Sequence, residues 1–181
     1  MSAAEVAIVD ATLARLRLVV TNPVLTQLNC DWQPDGKPPP AAAAMYIAVD
    51  EDGTISKGDA AQGELQEVYR INVFVSVRSG QMPNDQRADI MRRASQPLTR
   101  MERQIVNAIH GSQVLRAAAV ALLDAGDAIF TNPLYYAGRA KTEIKDSSWS
   151  SEGDNTDASG WVVRKLPFIG MRRTYYIGSV I

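Results

Sequence analysis

The sequence predicts an α+β fold in which a mainly antiparallel β-sheet is flanked by helices. One stretch near residues 67–79 alternates apolar and polar residues with strand period. Two other stretches repeat apolar residues at helical spacing, and the last residues alternate again. Since 181 residues is the size of one domain, we expect a single domain over residues 1–181, with long loops at about 22–44 and 127–160.

Composition excludes several classes of protein. The 19 basic and 20 acidic residues give a net charge of -1, which argues against a dedicated nucleic-acid binder, because such affinity depends on excess Lys and Arg. The single cysteine, Cys30, and single histidine, His110, exclude an intramolecular disulfide and a cysteine-based zinc cluster. No stretch reaches the ~20 apolar residues that span a bilayer, and the first residues lack a basic leader. We therefore expect a soluble globular protein of a reducing compartment.

The first element is predicted to be a helix that begins after a cap at Ser2 and ends at Asn22-Pro23. Its apolar residues recur in steps of three and four: Val6, Val9, Leu13, Leu16 and Val20. This spacing places them on one stripe, which we expect to pack on a sheet.

The next stretch is predicted to be an irregular loop. Gln33–Pro40 contains four prolines and a glycine, which is typical of an exposed polyproline loop; a peptide-recognition motif is the alternative. A short strand, Met45–Val49, follows. Asp50–Gly53 then indicates a turn rather than a calcium loop, because the glycine comes too early and position twelve is Ala61 instead of glutamate.

The clearest strand runs from about Glu67 to Ser79. Its apolar face is predicted to comprise Tyr69, Ile71, Val73, Val75 and Val77. The opposite face is mostly polar, with Arg70, Asn72, Ser76 and Arg78, and is interrupted only by Val68 and Phe74. We expect the apolar face to meet the core, and the polar face to meet solvent or a neighbouring subunit.

A second helix is predicted after a cap at Asn84, with Asp85 and Asp89 in its first turns. Its core positions are Ile90, Ala94, Leu98, Met101, Ile105 and either Ala108 or Ile109. Pro97 predicts either a kink or a division into two helices near Ser95.

His110-Gly111 has the residue types of a helix C-terminus, and an alanine-rich helix follows at about Gln113–Ala125. The polar tract 146–157 has the composition of a loop. The chain is then predicted to end in β-structure, with Trp161–Leu166 before Pro167 and an alternating strand after it.

Sequence motifs for catalysis are missing, including the glycine-rich phosphate loop, the nucleophile elbow and the zinc-protease helix. Cys30 and His110 are the sole thiol–imidazole pair, but no spacing supports a nucleophile with its base, and a lone cysteine is more typical of packing. We therefore expect no enzyme, and no catalytic, cofactor-binding or metal-binding residues. A carboxylate pair from distant segments keeps a small enzyme at the sheet edge as an alternative.

Basic residues crowd two regions. The first is the second helix, with Arg87, Arg92, Arg93, Arg100 and Arg103; the second is the C-terminus, with Arg164, Lys165, Arg172 and Arg173. Such runs indicate either a solvated face or a charged surface that binds a complementary partner.

The order of these elements resembles the tail-terminator family of tailed bacteriophages, which are also called minor tail or tail-completion proteins. The segments that carry the resemblance are Glu5–Val20, Met45–Val49, Tyr69–Val77, Ile90–Ile109 and Arg173–Ile177. The likeness covers most of the chain and lies in the pattern of elements rather than in one motif. The proline loop and the region 111–160 exceed what a minimal terminator needs.

The resemblance implies a tail-terminator-like subunit and a structural role in the virion. Six copies would form a ring at the head-proximal end of the tail, joining the tail tube protein to the head–tail connector or head-closure protein. It implies a tail or neck location, assembly in the host cytoplasm, and no cofactor, membrane or sequence-specific nucleic acid, with DNA able to pass through the ring. Another neck or head-completion adaptor is the alternative.

Overall fold

Two long antiparallel strands form the centre of the sheet. In a computed structural model of the chain they are β4, Glu64–Gln81, and β8, Ser159–Tyr175. Their register runs from Glu64 opposite Tyr175 to Arg78 opposite Trp161, with an irregularity before Gln81. The structure describes residues 3–19, 28–32, 45–51, 56–57, 64–81, 87–122, 129–130, 133–145 and 159–175.

Shorter strands flank this central pair. On one side β4 pairs with β2, Met45–Glu51, and with β3, Ser56–Lys57; β2 in turn pairs with β1, Leu28–Trp32. On the other side β8 pairs with the three short strands β5, Ile129–Phe130, β6, Tyr135–Tyr136, and β7, Lys141–Lys145. Within the described residues, every pairing is antiparallel except that of β1 with β2. The predicted α+β class with a mainly antiparallel sheet is confirmed.

The described part of the chain contains three helices, which pack together on one face of the sheet. They are α1, Ala3–Val19, α2, Arg87–Ile109, and α3, Gln113–Ala121. α1 contacts both other helices as well as β1 and β2, while α2 lies against β4 and β8. The core fills the space between helices and sheet, and its largest fully buried side chains are those of Tyr69, Phe168, Ile8, Leu16, Ile47, Ile71, Leu98, Met101, Ile105 and Ile109.

The apolar face of β4 follows the predicted alternation. Tyr69, Ile71, Val73 and Val75 are buried in the core, and Val77 packs against its margin. The opposite face differs from the expectation of solvent, since Asn72 and Ser76 are also buried. The alternation of side chains along a strand shows which residues share a face, but it does not show what covers that face.

The predicted stripe of α1 is wrong in part. Val9, Leu13 and Leu16 are buried, whereas Val6 is 43% exposed. The helix also buries four residues outside that stripe: Ala7, Ile8, Ala11 and Thr12. Because α1 is packed by α2 and α3 as well as by strands, it needs a wider apolar surface than a single stripe. The buried Thr12 hydroxyl donates to the Ile8 carbonyl at 2.7 Å.

α2 is one continuous helix through Pro97, so the alternative of two helices is wrong. The buried residues Ala94 and Leu98 lie on either side of the proline, and further turns follow at Met101 and Ile105. This packing on the sheet holds both halves in line although proline cannot donate its own helical hydrogen bond.

The two predicted long loops need correction. β1 lies inside the range 22–44, and β5, β6 and β7 lie inside 127–160. Asp50 and Glu51, predicted as part of a turn, instead end β2. Strands of two to five residues carry too little alternation to be recognised in isolation, and here they form by pairing with a longer neighbour.

β8 also continues through Pro167, where the sequence suggested a break. The neighbouring strands β6 and β7 are interrupted at this point, between Tyr136 and Lys141. The Pro167 carbonyl accepts a hydrogen bond from the Ala137 N–H at 2.8 Å. The N–H and C=O of one strand residue point to the same side of the strand. The N–H that Pro167 lacks would therefore point toward the gap between β6 and β7.

Several predicted features lie outside the described residues. They are the Ser2 cap, the Asn22-Pro23 stop, the proline loop 33–40, the Asn84 cap, the tract 146–157 and the residues after Tyr175.

Tyr69 and Gly170 face each other across the central pair of strands. The Tyr69 ring lies over the glycine so closely that a Cβ atom at position 170 would overlap the ring carbons and the phenolic oxygen. Tyr69 is 1% exposed, so its ring has little room to move away. The glycine is therefore required by a close approach and not by backbone conformation.

We predict that Gly170→Ala lowers the free energy of unfolding by about 1–3 kcal/mol, the usual cost of inserting a methyl group into a packed core. Urea unfolding followed by circular dichroism measures it. The matched control is the same substitution in a Tyr69→Leu background, where the ring is gone and the added cost should be smaller. An equal cost in both backgrounds would contradict the ring overlap.

Candidate functional site

The outer face of α2 is a row of arginines. Arg92, Arg93, Arg100 and Arg103 are all exposed, and at 100° per residue they fall on one side of the helix together with the exposed amides Gln96 and Asn107. α2 contains two acidic residues, Asp89 and Glu102. The side chain of Asp89 lies outside the described set, and that of Glu102 points away from this side toward Arg164. We call this set of four arginines and two amides the arginine face.

The charged surface inferred from the arginines of the second helix thus has a definite location. No ion pair of the described residues involves Arg100 or Arg103. The side chain of Arg87 lies outside the described set. Guanidinium groups bind carboxylates and phosphates through paired hydrogen bonds, so the arginine face is suited to an anionic partner.

The inner side of α2 is fixed to the sheet by a polar network around Glu102. Arg164 of β8 donates from Nη1 to Glu102 Oε2 at 2.9 Å and to Thr99 Oγ1 at 3.1 Å. Its Nε donates to Thr142 Oγ1 of β7 at 2.9 Å. The Tyr136 hydroxyl donates to the second carboxylate oxygen, Oε1, at 3.0 Å. α2 is therefore tied to three strands at one point, which orients the arginine face outward.

This environment raises the pKa of the Tyr136 phenol to about 12. Burial is the largest cause, followed by the hydrogen bond that the phenol donates to Glu102 and by the charge of that carboxylate. Sequence reasoning missed the network, although one signal was present. Arg164 shares its strand face with Val162, Leu166 and Phe168, and a lone cation among core positions indicates a paired partner.

His110 ends α2 and makes a structural contact. Its Nδ1 accepts a hydrogen bond from the backbone N–H of Tyr136 at 2.9 Å, and its ring meets Tyr135 edge-on at 5.5 Å. Gly111 follows with a φ of 66°, a conformation that favours glycine, and Ser112 caps α3 by accepting from Leu115 N–H. The helix end predicted at His110-Gly111 is confirmed.

Cys30 and His110 are far apart. Cys30 lies in β1 at one edge of the sheet, whereas His110 binds β6 at the opposite edge. The strands β2, β4 and β8 lie between those edges, which corresponds to about 19 Å at the usual strand spacing. The two residues cannot act together as a nucleophile and its base.

The C-terminal basic residues do not form one surface. Arg164 and Arg172 lie on the helix-covered face of β8, and Arg172 is 5% exposed. Lys165 lies on the opposite face, 5.9 Å from the centre of the Phe74 ring, and Arg78 is equally far from that of Trp161. Strand alternation thus divides a run that looks continuous in the sequence.

A second exposed surface is apolar. Of the six large apolar residues exposed in the described part of the chain, four belong to α1 and α3, which pack side by side, and a fifth, Leu122, caps the C-terminus of α3. They are Val6, Leu18, Val114, Val120 and Leu122. We call these five residues the apolar patch. Exposed apolar surface is typical of contacts with other proteins where it is continuous, whereas single exposed apolar residues are common on any protein.

Searches for metal sites and membrane spans cover only the part of the chain that the structure describes. There, no group of three or more His, Cys, Asp or Glu side chains is placed to hold a metal ion. None of the helices in that part is long and apolar enough to cross a membrane.

Comparison with known proteins gives little guidance. No protein-family model matches the chain, and no curated protein matches it. One similar solved chain comes from a structure described as "Virion of native gene transfer agent (GTA) particle", with 16% identity and a TM-score of 0.45. The alignment covers 91% of this chain and 92% of that one. A likeness of this size decides neither family nor function.

We predict that Tyr136→Phe makes stability less dependent on pH between about 10 and 12. The unfolded chain loses this phenolic proton near pH 10 and the folded chain near 12. The protonated phenol therefore contributes its full stability below pH 10, and about 1–2 kcal/mol is lost as the pH rises to 12, because burial and the Glu102 carboxylate both disfavour the phenolate. Tyr135→Phe, one residue earlier and without the Glu102 bond, is the matched control. Identical alkaline unfolding profiles for the two variants would contradict the assignment.

Proposed function

We propose that this chain is a structural virion protein of a tailed phage. Its role is that of a tail terminator that forms a ring at the head-proximal end of the tail. In this role it binds further copies of itself, six to a ring, as well as the tail tube protein and the head–tail connector or head-closure protein. It acts in the tail or neck of the virion, is assembled in the host cytoplasm, and has no catalytic activity.

The observation that carries the proposal is the division of the helical layer into two different outer surfaces. The arginine face on α2 and the apolar patch on α1 and α3 lie on one small subunit. A subunit between several protein neighbours needs distinct surfaces for each, whereas an enzyme needs converging polar groups in a pocket.

The order of elements gives further support. The family resemblance rests on five elements: a helix, a short strand, a long alternating strand, a second helix and a closing strand. In the structure these are α1, β2, β4, α2 and β8.

The edge of the sheet beside β8 also suits a ring component whose contacts must be specific. β5, β6 and β7 are separate short strands, so this edge offers no long row of free backbone groups. Interrupted edges oppose uncontrolled strand addition.

Another neck or head-completion adaptor remains the main alternative, because it would need similar surfaces without closing a ring. Oligomeric state separates the two functions.

We predict that the purified protein forms a closed ring with six times the 19.7 kDa subunit mass. Native mass spectrometry across a concentration series, with negative-stain imaging, measures it. Val114→Lys with Leu122→Lys places two charges on the apolar patch and should weaken the ring at least tenfold, as expected when charges are buried without partners. A wild-type monomer at every concentration would contradict a self-sufficient ring and favour the adaptor.

We also predict that the subunit folds without residues 147–157, while its assembly is weakened. Lys145 pairs with Trp161, so a short Gly-Ser turn can join the strands that the tract connects. The tract is too polar to contribute core, so the free energy of unfolding should change by less than about 0.5 kcal/mol. Thermal unfolding measures folding and light scattering measures assembly. Loss of folding in the shortened subunit would contradict this prediction.

A further inference from the structure

We propose that the imidazole of His110 is a proton-sensitive cap on the edge of strand β6. The neutral imidazole closes the free edge of this strand, and a protonated imidazole cannot. The cap involves only the turn between α2 and α3 and the strand that it covers, so it does not depend on assembly of the subunit.

Two backbone groups of β6 point away from the sheet. Among the described residues β6 pairs only with β8, and the Ala137 N–H donates to the Pro167 carbonyl at 2.8 Å. Tyr135 and Ala137 therefore direct their N–H and C=O groups toward β8, and the alternation of an antiparallel pair turns those of Leu134 and Tyr136 the other way. Left uncovered, these outward groups would form an open edge that another strand can pair with.

The turn after α2 takes the place of the missing strand. The Gly111 N–H donates to the Leu134 carbonyl at 2.8 Å, and the Tyr136 N–H donates to Nδ1 of His110 at 2.9 Å. Two adjacent residues thus supply one donor and one acceptor, as a paired strand would. The acceptor is unusual, because a ring nitrogen occupies the place of a backbone carbonyl oxygen. Of these two bonds, only the one to His110 has a titratable acceptor.

A proton on Nδ1 and the bond from Tyr136 exclude each other. Nδ1 accepts through the same lone pair that takes up the proton, and both ring nitrogens of an imidazolium are donors. Imidazole is the side chain that ordinarily changes its charge between pH 5 and 8. Mild acid therefore places two N–H groups against each other and opens the edge of β6 at Tyr136.

The groups around the imidazole do not compensate for the loss of this bond. Those closest to the turn on the surrounding elements are Tyr135 and Tyr136 of β6, Glu102 and Arg103 of α2, Arg116 of α3, and Arg15 of α1, which donates to the Ala108 carbonyl. Tyr135 meets the imidazole edge-on, and the Glu102 carboxylate binds Arg164 and the Tyr136 hydroxyl. In the described part of the chain, no carboxylate pairs with the imidazole. The C-terminal end of α2 attracts positive charge, so the imidazole can take up its proton in place.

Amide hydrogen exchange of Tyr136, followed by NMR at about pH 8 and about pH 5.5, tests the cap. Both values lie above the range near 4 in which carboxyl groups ordinarily titrate. After correction for the intrinsic exchange rate, protection of this amide should fall about fivefold to tenfold in acid, the usual net effect of one lost hydrogen bond. The Ala137 amide, one residue later and bonded to a backbone carbonyl, is the matched control and should keep its protection.

The imidazole itself gives a second readout. His110 is the only histidine of the chain, so its ring signals titrate without overlap. The midpoint of that titration should coincide with the midpoint at which protection of the Tyr136 amide is lost.

Two variants assign the effect to the imidazole. His110→Asn offers a side-chain oxygen as the acceptor and does not titrate in this range, so protection of the Tyr136 amide should persist in acid. His110→Ala removes the acceptor and should leave that amide weakly protected at both pH values. Because His110 is exposed, circular dichroism of both variants should show unchanged unfolding.

Three results would overturn the cap. The first is equal protection of the Tyr136 amide in wild type at both pH values, whether the imidazole titrates between them or stays neutral. The second is a loss of protection in acid that persists in His110→Asn, since another titrating group would then be responsible. The third is full protection in His110→Ala, which would mean that the edge of β6 is closed without the imidazole.

Discussion

The pairing of β4 with β8 is the constraint on which the rest of the structure depends. The two strands are 18 and 17 residues long and pair over nearly their whole length, although some 80 residues of chain separate them. Among the strands that the structure describes, all others except β1 pair directly with one of the two. The helices in turn cover the face that these two strands present with Tyr69, Ile71, Leu166 and Phe168. Contacts between segments this far apart in the sequence generally slow folding, because loop closure costs entropy before the contacts can form.

Register in this pair decides which residues can reach α2. A shift of one residue would move Arg164 to the far face and bring Lys165 toward the helices. The observed register places Arg164 beneath Glu102, where it ties the helix to the sheet, and places Gly170 beneath the Tyr69 ring. The orientation of the arginine face is therefore a consequence of strand pairing more than of the helix itself.

The elements predicted best from the sequence are those with their own strong period. β4 and α2 each carry an uninterrupted series of core residues, so Ile71, Val73, Leu98 and Ile105 are placed by pattern alone. β1 and β5 to β7 could not be predicted, because strands of two to five residues exist only through the partner that they pair with. α1 was predicted correctly as a helix, but its predicted buried surface is too narrow. The apolar spacing shows one buried stripe, whereas in the structure α1 contacts two helices and two strands.

The same limit applies to the candidate site. The sequence shows that arginines are frequent near residues 87–103, and helical geometry then places four of them on one side. The sequence does not show in which direction the acidic side chain within this run points. Glu102 lies within this run, and in sequence it looks like their neutralising partner; in the structure it turns inward to Arg164 and Tyr136. The internal network thus turns this carboxylate away from the arginine face, although it belongs to the same run of sequence.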